Sequence, residues 1–297
     1  MVLPTLGKVA LSLLAIIVVR AMVRRARCRP LTRGSVALIT GGGGGIGLEF
    51  ARFFARSGCR VVLVGRNAEA LREAQASCIA LGAPSADIIV ADLSTVDGTD
   101  KVGAELQQQE HPVKYMVLNA GAGAIVPFSS GPEFHAICEN MMQINYFANV
   151  RLLQQLLPIL EKTHSAENPS RVVVVSSLAG VLPSIYRSAY TASKHAIQGF
   201  MNALRGETSV SITLCCPGYV DTDFHRRAQL QGSLATGNHR RGVPPDVCVQ
   251  QCMTGALCGD AEVLTTLTGK LGYVLRPVFT SLIDTQAKKM SVRSLQK

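Results

Sequence analysis

No aspartate or glutamate occurs before Glu49, yet Lys8, Arg20, Arg24, Arg25, Arg27, Arg29 and Arg33 all stand ahead of it. Seven of the ten excess positive charges of this 297-residue chain therefore lie in its leader, and the remainder is close to balanced. A nucleic-acid surface needs its basic residues clustered on a folded face, and no nucleic-acid motif is found. A short basic block beside an apolar run fits a membrane surface instead. Also missing is any CxxC pair or Cys/His ligand spacing among the nine cysteines. That excludes the usual zinc frameworks, and no metal site is expected. Cys215 and Cys216 are neighbours, which cannot both serve one ordinary fold-stapling bridge, so free buried thiols in a reducing compartment are expected. Repeats, low-complexity tracts and linkers are absent as well. Charged residues make up only 17% and hydrophobic ones 47%, too apolar for a disordered chain. One domain with a full core follows.

What is present begins with "VALSLLAIIVV" (residues 9–19), bounded by Lys8 and Arg20. Alone it falls short of the ~20 residues of a span. Counted from Met1, with Lys8 and Arg20 reaching toward headgroups, it suffices for a tilted one. The reading is an uncleaved membrane anchor with a basic flank over residues 1–30, the arginines holding the body in the cytosol. A mitochondrial presequence and a cleaved secretory signal are the alternatives.

From Gly34 onward, short β-branched runs alternate with longer amphipathic stretches. The runs are 35–40, 60–65, 87–91, 115–120, 171–177 and 211–216, with "AEVLT" as a last edge strand. Most are continuously apolar, as strands buried on both faces of a parallel sheet must be. Helices are expected over 46–57, 67–81, 95–110, 133–162 with a break, 188–205 and after Pro244-Pro245. The alternation builds βαβ units, hence an α/β, doubly wound, single-domain Rossmann fold of about seven strands over residues 34–265. In the tail, 266–297, Leu267, Leu271, Val274, Leu275, Val278, Phe279, Leu282 and Ile283 recur at helical spacing. They read as a helix packed on the core or one facing a membrane beside the pocket mouth.

"TGGGGGIG" (40–47) follows the first strand and opens the first helix. Glycine permits the tight turn and lets the backbone approach a pyrophosphate at a helix N-terminus. Thr40, Gly41, Gly45, Ile46 and Gly47 resemble the TGxxxGIG fingerprint of the short-chain dehydrogenase/reductase family. At the tip of the second strand a carboxylate would hold the ribose hydroxyls of NAD(H). Gly65 and Arg66 stand there, and a guanidinium favours the 2′-phosphate of NADP(H). By the same resemblance Asp92 and Leu93 border the adenine, and Asn119, Ala120 and Gly121 pack under the cofactor. Pro217, Gly218 and Val220 lie against the nicotinamide, and Thr222 touches the cofactor.

"SAYTASKHAIQGF" (188–200) sets Tyr190 and Lys194 four residues apart, on one helical face. A phenol of pKa ~10 is a slow proton donor and acceptor at neutral pH, and a nearby ammonium lowers that value. The family resemblance implies that Ser177, 13 residues before Tyr190, hydrogen-bonds the substrate oxygen, with Ser176 the neighbouring alternative. It implies that Tyr190 is the proton donor and that Lys194 binds the nicotinamide ribose. Asn145 in "QINYF" would hold, through its backbone, the water that links Lys194 to solvent.

"SIYRSAYTASKHAIQGFMNALRGE" is most similar to membrane-anchored reductases of the dehydrogenase/reductase member 7B type and to 11β-hydroxysteroid dehydrogenase type 1. The resemblance implies an endoplasmic-reticulum membrane enzyme, usually a homodimer. Its expected activity is NADPH-dependent reduction of a lipophilic ketone of the acyl-dihydroxyacetone phosphate or 3-ketosphinganine type. The alternatives are oxidation of a steroid or retinoid alcohol and a catalytically idle NADP-binding scaffold. Residues 224–243, with Arg226, Arg227, Arg240 and Arg241, correspond to the substrate lid and follow no family template.

Overall fold

The computed structural model describes residues 15–16, 18–224, 226, 228–230 and 242–295. The first fourteen residues, nearly half of the expected anchor, and most of the lid therefore lie outside the described residues, Arg227, Arg240 and Arg241 among them. Residues 18–27 are helical. Among the described residues no helix is long and apolar enough to cross a membrane.

Seven parallel strands form one sheet. They are β1 (Val36–Thr40), β2 (Arg60–Gly65), β3 (Ala86–Val90), β4 (Val113–Leu118), β5 (Arg171–Val175), β6 (Ser211–Cys216) and β7 (Glu262–Leu264). Their order is β3-β2-β1-β4-β5-β6-β7, so the chain reverses direction of travel between β1 and β4. In such open sheets ligands bind in the crevice at the carboxyl ends of the strands beside that switch.

The continuous apolar runs have the predicted cause. Alternate side chains of each strand feed two separate cores, one on each face. Ala37 and Ile39 of β1 pack with Phe50 and Phe54 of α1 (Gly45–Arg56), Leu71 of α2 (Ala68–Ala80) and Cys252, which belongs to the helix after Pro244. Val36 and Leu38 face the other way, among Val102 of α3 (Val96–Gln107) and Leu152 and Ile197, two helices further on. Each buried Val, Leu or Ile side chain contributes about 1.5–3 kcal/mol. Two helix starts are closed by side-chain caps. Asn67 accepts from the Glu69 and Ala70 N–H groups at α2, and Thr95 accepts from Gly98 N–H at α3.

The break expected within 133–162 is a π-helical turn, Gln143–Phe147, between α4 (Glu133–Met142) and α5 (Ala148–Lys162). α6 (Ser188–Leu204) carries Tyr190 and Lys194. α7 (Pro245–Leu257) leads to β7. The tail is two helices, α8 (Leu267–Leu275) and α9 (Thr280–Leu295), interrupted around Pro277, whose ring fits only a first turn.

One expectation fails. Cys28 and Cys258 are joined by a disulfide; the other seven cysteines are free, and six of these are buried. The bridge belongs to a larger junction at the amino-terminal end of the sheet. Arg24 makes an ion pair of 2.7 Å with Asp260, and buried Arg171 donates to the carbonyls of Arg29, Ala256 and Leu257. Cysteine spacing could not reveal this pair, because its members are 230 residues apart and meet only when the leader docks on α7.

Candidate active site

At the carboxyl ends of the strands opens a cavity of about 1630 Å³. Its first lobe is built by the β1–α1 turn. Gly41 and Gly45 adopt φ of 67° and 54°, the left-handed region that favours glycine. Gly44 caps α1 with no side chain, so the first N–H groups of the helix have no capping partner. Gly41, Gly45, Ile46, Arg66, Asp92, Leu93, Asn119, Ala120 and Gly121 all line the cavity, as do Pro217, Gly218, Val220 and Thr222. A glycine-lined helix N-terminus with one guanidinium at the edge fits a dinucleotide carrying a 2′-phosphate. Arg66 is exposed and meets Asp92 only at 3.8 Å, which leaves its fork free for a stronger acceptor. The Ser94 hydroxyl and N–H hold the Asp92 carboxyl low against its burial, with Arg66 adding to them.

Three expected residues sit behind the wall. Thr40 is fully buried; its hydroxyl accepts the N–H groups of Asn119 and Ala120 and donates to the Val117 carbonyl. It braces β1 to the end of β4. Gly47 packs where a Cβ would strike the Gly41 carbonyl and the Asn119 amide. Asn145 is buried in the π turn and is fully engaged. Its side chain pairs with both backbone groups of Ala122 and donates to Ser193 Oγ at 3.0 Å. Its own carbonyl accepts from Asn149 Nδ2 at 2.8 Å, which occupies one of the two lone pairs a water would need.

Ser177, Tyr190 and Lys194 come together on the second lobe. The Ser177 hydroxyl faces the Tyr190 phenol and favours its ionised form, and its oxygen accepts from Ala179 N–H at 3.1 Å. Ser176 is turned under the 3-10 turn at 178–180, where its hydroxyl is buried without a partner. Both serines line the cavity, and Ser177 is the one beside the phenol. The Lys194 ammonium lies 5.8 Å from the Tyr190 ring centroid and donates to the Val175 carbonyl at 2.9 Å.

Burial dominates the electrostatics of this pair. It pushes the Tyr190 phenol above its ordinary value, against the Ser177 hydrogen bond and the positive charge of Arg187. It brings Lys194 down to about 8, with only Cys216 opposing. The expected lowering of the phenol by Lys194 is therefore not present in the protein alone, since the desolvated ammonium is itself disfavoured.

Sequence reasoning missed the rest of this lobe. Met141, Ile144, Ile185, Phe224 and Met290 supply its apolar wall, and Arg187 and Tyr219 its polar one. Met290 and Ser291 belong to α9, whose Ser291 hydroxyl accepts the Ile185 N–H at 3.4 Å. A tail helix beside the pocket mouth was one of the two expectations; that Met290 and Ser291, beyond the repeat, line the cavity was not foreseen.

This chain belongs to the short chain dehydrogenase family, whose profile matches residues 35–231. It is 30% identical to a dehydrogenase/reductase SDR family protein 7-like from Dictyostelium discoideum, over 89% of this chain and 84% of that protein. It is 37% identical to a hydroxysteroid 11-beta-dehydrogenase 1-like protein from Gallus gallus, over 64% of this chain and 66% of that one. Dehydrogenase/reductase SDR family member 7B from Bos taurus aligns at 35%, over 68% and 63% of the two chains. Alignment with the last two thus covers slightly less than two thirds of their lengths. Among solved structures, a short-chain dehydrogenase from Sphingobium yanoikuyae in complex with NADPH shares the fold. The TM-score is 0.69 at 22% identity, covering 86% of this chain and 95% of that one. Pseudomonas aeruginosa RhlG, solved as an NADP active-site complex, gives 0.67 at 26%, over 79% and 95%.

Proposed function

We propose that this chain is a membrane-associated, NADP(H)-dependent reductase of a lipophilic ketone of the keto-lipid type. Acyl-dihydroxyacetone phosphate and 3-ketosphinganine represent that type. The observation that carries the reading is the meeting of Ser177, Tyr190 and Lys194 on one wall of a cavity whose other lobe is a glycine-lined anion cradle. NADPH supplies a hydride when bound. Its 2′-phosphate is held by Arg66, its adenine edge by Asp92 and Leu93, and its nicotinamide end by Pro217, Gly218, Val220 and Thr222. Ser177 and Tyr190 hold the carbonyl oxygen of the substrate, and Tyr190 passes its proton to that oxygen. A phenol kept neutral by burial is loaded for this donation. Lys194 orients the ribose and stabilises the phenolate left behind. Asn145 fixes the turn at Ala122 against which Lys194 packs.

The experiment is NADPH consumption by detergent-solubilised protein across a panel of long-chain ketones. Tyr190→Phe is expected to remove turnover while NADPH still binds; turnover retained in that variant excludes the proton-donor role. A flat trace with every ketone would leave the idle scaffold. The likeness to hydroxysteroid dehydrogenase-like proteins favours one second reading, oxidation of a steroid or retinoid alcohol. NADP+ reduction with such alcohols, exceeding the reverse rate, would establish it.

Two apolar surfaces support the membrane assignment. Met22 and Val23 of the leader helix are exposed, and so are Leu267, Val274, Val278 and Phe279 along α8 and its exit. The second strip adjoins the helix that supplies Met290 to the cavity, so a substrate partitioned in lipid has a short path inward. The arginine cluster argues for a cytosolic body, whereas the Cys28–Cys258 bridge argues for an oxidising lumen, and we favour the lumen of the endoplasmic reticulum. Protease protection in sealed microsomes decides this: a body digested without detergent is cytosolic. A homodimer through α5 and α6 completes the proposal, with exposed Phe147 under the Arg151 guanidinium on that face. Light scattering at twice the monomer mass is the expected result.

A further inference from the structure

Arg187 stands three residues before Tyr190 and immediately ahead of α6, and it lines the same cavity. It is half-buried, and its guanidinium makes no hydrogen bond or ion pair among the described residues. The ionisable groups that act on it are two phenols, Tyr190 and Tyr219, not a carboxylate. Asp223, the acid on this side of the cavity wall, is paired with Arg226. The sequence from Phe224 to Pro245 contains no Asp or Glu, so the chain following Asp223 brings no counter-charge either. Partial burial disfavours the charged form of Arg187, and only the two phenols oppose it.

The backbone fixes this side chain in place. Tyr186 has φ of 60°, the one described non-glycine residue in the left-handed region, at a cost of order 1–3 kcal/mol for a bulky residue. Its carbonyl accepts the Val126 N–H at 2.7 Å, and the Arg187 N–H closes onto Ser184 O at 3.3 Å. The segment is thus pinned at the β4 side of the cavity while α9 holds it through Ser291.

We propose that Arg187 determines specificity by binding an anionic group, a phosphate monoester or a carboxylate, carried by the substrate close to its reacting carbonyl. This rests on the reductase reading above and narrows it. The apolar wall of Met141, Ile144, Ile185, Phe224 and Met290 takes an acyl chain. A guanidinium fork beside the proton donor takes an acid and repels an amine. Among keto-lipids, anionic ones are preferred and aminoketones such as 3-ketosphinganine are disfavoured.

The test compares kcat/KM for palmitoyl-dihydroxyacetone phosphate with its neutral dephosphorylated form, and for 4-oxohexadecanoate with its methyl ester. Wild-type protein, Arg187→Lys and Arg187→Gln are used. The anionic-to-neutral ratio is expected to fall about tenfold to a hundredfold in Arg187→Gln, mostly through KM, and to be partly restored in Arg187→Lys. Loss with the phosphate pair alone or with the carboxylate pair alone identifies which acid is read. A ratio unchanged in Arg187→Gln overturns the proposal. Binding of dodecyl phosphate, dodecanoate and dodecanol to the NADP+-loaded protein, by calorimetry, gives a readout independent of turnover. If no ketone is reduced, yet the two anions bind at least tenfold tighter than the alcohol and lose that margin in Arg187→Gln, the anion site stands and the reductase reading falls. Equal binding of all three overturns the anion site whatever the kinetics.

Discussion

Lys194 gives the sharpest quantitative test, because its burial should make the protein without coenzyme less stable than a variant lacking the charge. The fall from 10.5 to about 8 is driven by desolvation of a group that is 5% exposed. At about 1.36 kcal/mol per pKa unit it corresponds to about 3 kcal/mol. Replacing Lys194 by Met removes that penalty and also loses the hydrogen bond to Val175 O, which contributes about 1 kcal/mol. The net gain at pH 7 is about 2 kcal/mol, or a rise in Tm of about 4–8 °C for a domain of this size. The sign of the pH dependence follows from linkage. Above pH 10.5 the lysine is neutral in both folded and unfolded chains and costs nothing. As pH falls from 10.5 to about 8 the unfolded chain takes up a proton that the folded chain refuses, so the contribution of Lys194 to stability declines, and below about 8 the deficit is constant. Cys216, held at about 12, stays protonated in the folded chain over this range, and its ionisation in the unfolded chain is common to wild type and variant and cancels in the comparison. Urea denaturation followed by far-ultraviolet circular dichroism, without nucleotide, should show Lys194→Met ahead at pH 7 and its lead shrinking toward pH 10. A lead independent of pH, or no lead at all, would refute the claim that this ammonium is desolvated at the site.

Other expectations concern the two ends of the molecule and its centre. Arg66→Ala should reduce the preference for NADPH over NADH about tenfold or more, read as the ratio of the two kcat/KM values, because the fork that matches the 2′-phosphate is lost. Peptide mapping without reductant should yield Cys28 linked to Cys258. Cys258→Ser should lower stability by up to about 5.5 kcal/mol, the chain-entropy value for so long a loop, measured as a fall in urea midpoint. In Gly121→Ala the new Cβ would stand 2.7 Å from Asn145 Oδ1 and 3.6 Å from Lys194 Nζ. Turnover should drop with a stability loss of about 1–3 kcal/mol, the usual cost of overpacking.

How much of this was legible in the chain depends on the distance over which each feature is determined. The sheet was readable because burial on both faces forces runs such as "RVVLVG", and each run records its own environment. The glycine cradle and the Tyr190–Lys194 pair were readable for the same reason: a turn needing φ > 0 and a helix repeat are local facts. Ser177 was only half legible. Its choice over Ser176 depends on which way the chain leaves β5, and the 3-10 turn that buries Ser176 is set by contacts with Gln198 and Lys194 on α6. The Cys28–Cys258 bridge was illegible, and the tail's place beside the pocket mouth was only one of two readings, since each joins segments roughly a hundred residues or more apart along the chain. Arg187 belongs to an intermediate class. It stands in plain view inside "YRSAYTASK", where nothing local sets it apart. What changes its meaning is the turn at Tyr186, which folds the guanidinium toward the phenol, together with the absence of any acid from Phe224 to Pro245. A charge becomes informative once the fold has drawn it partly out of water and the sequence has withheld an acidic partner, and half-buried Arg187 meets both conditions.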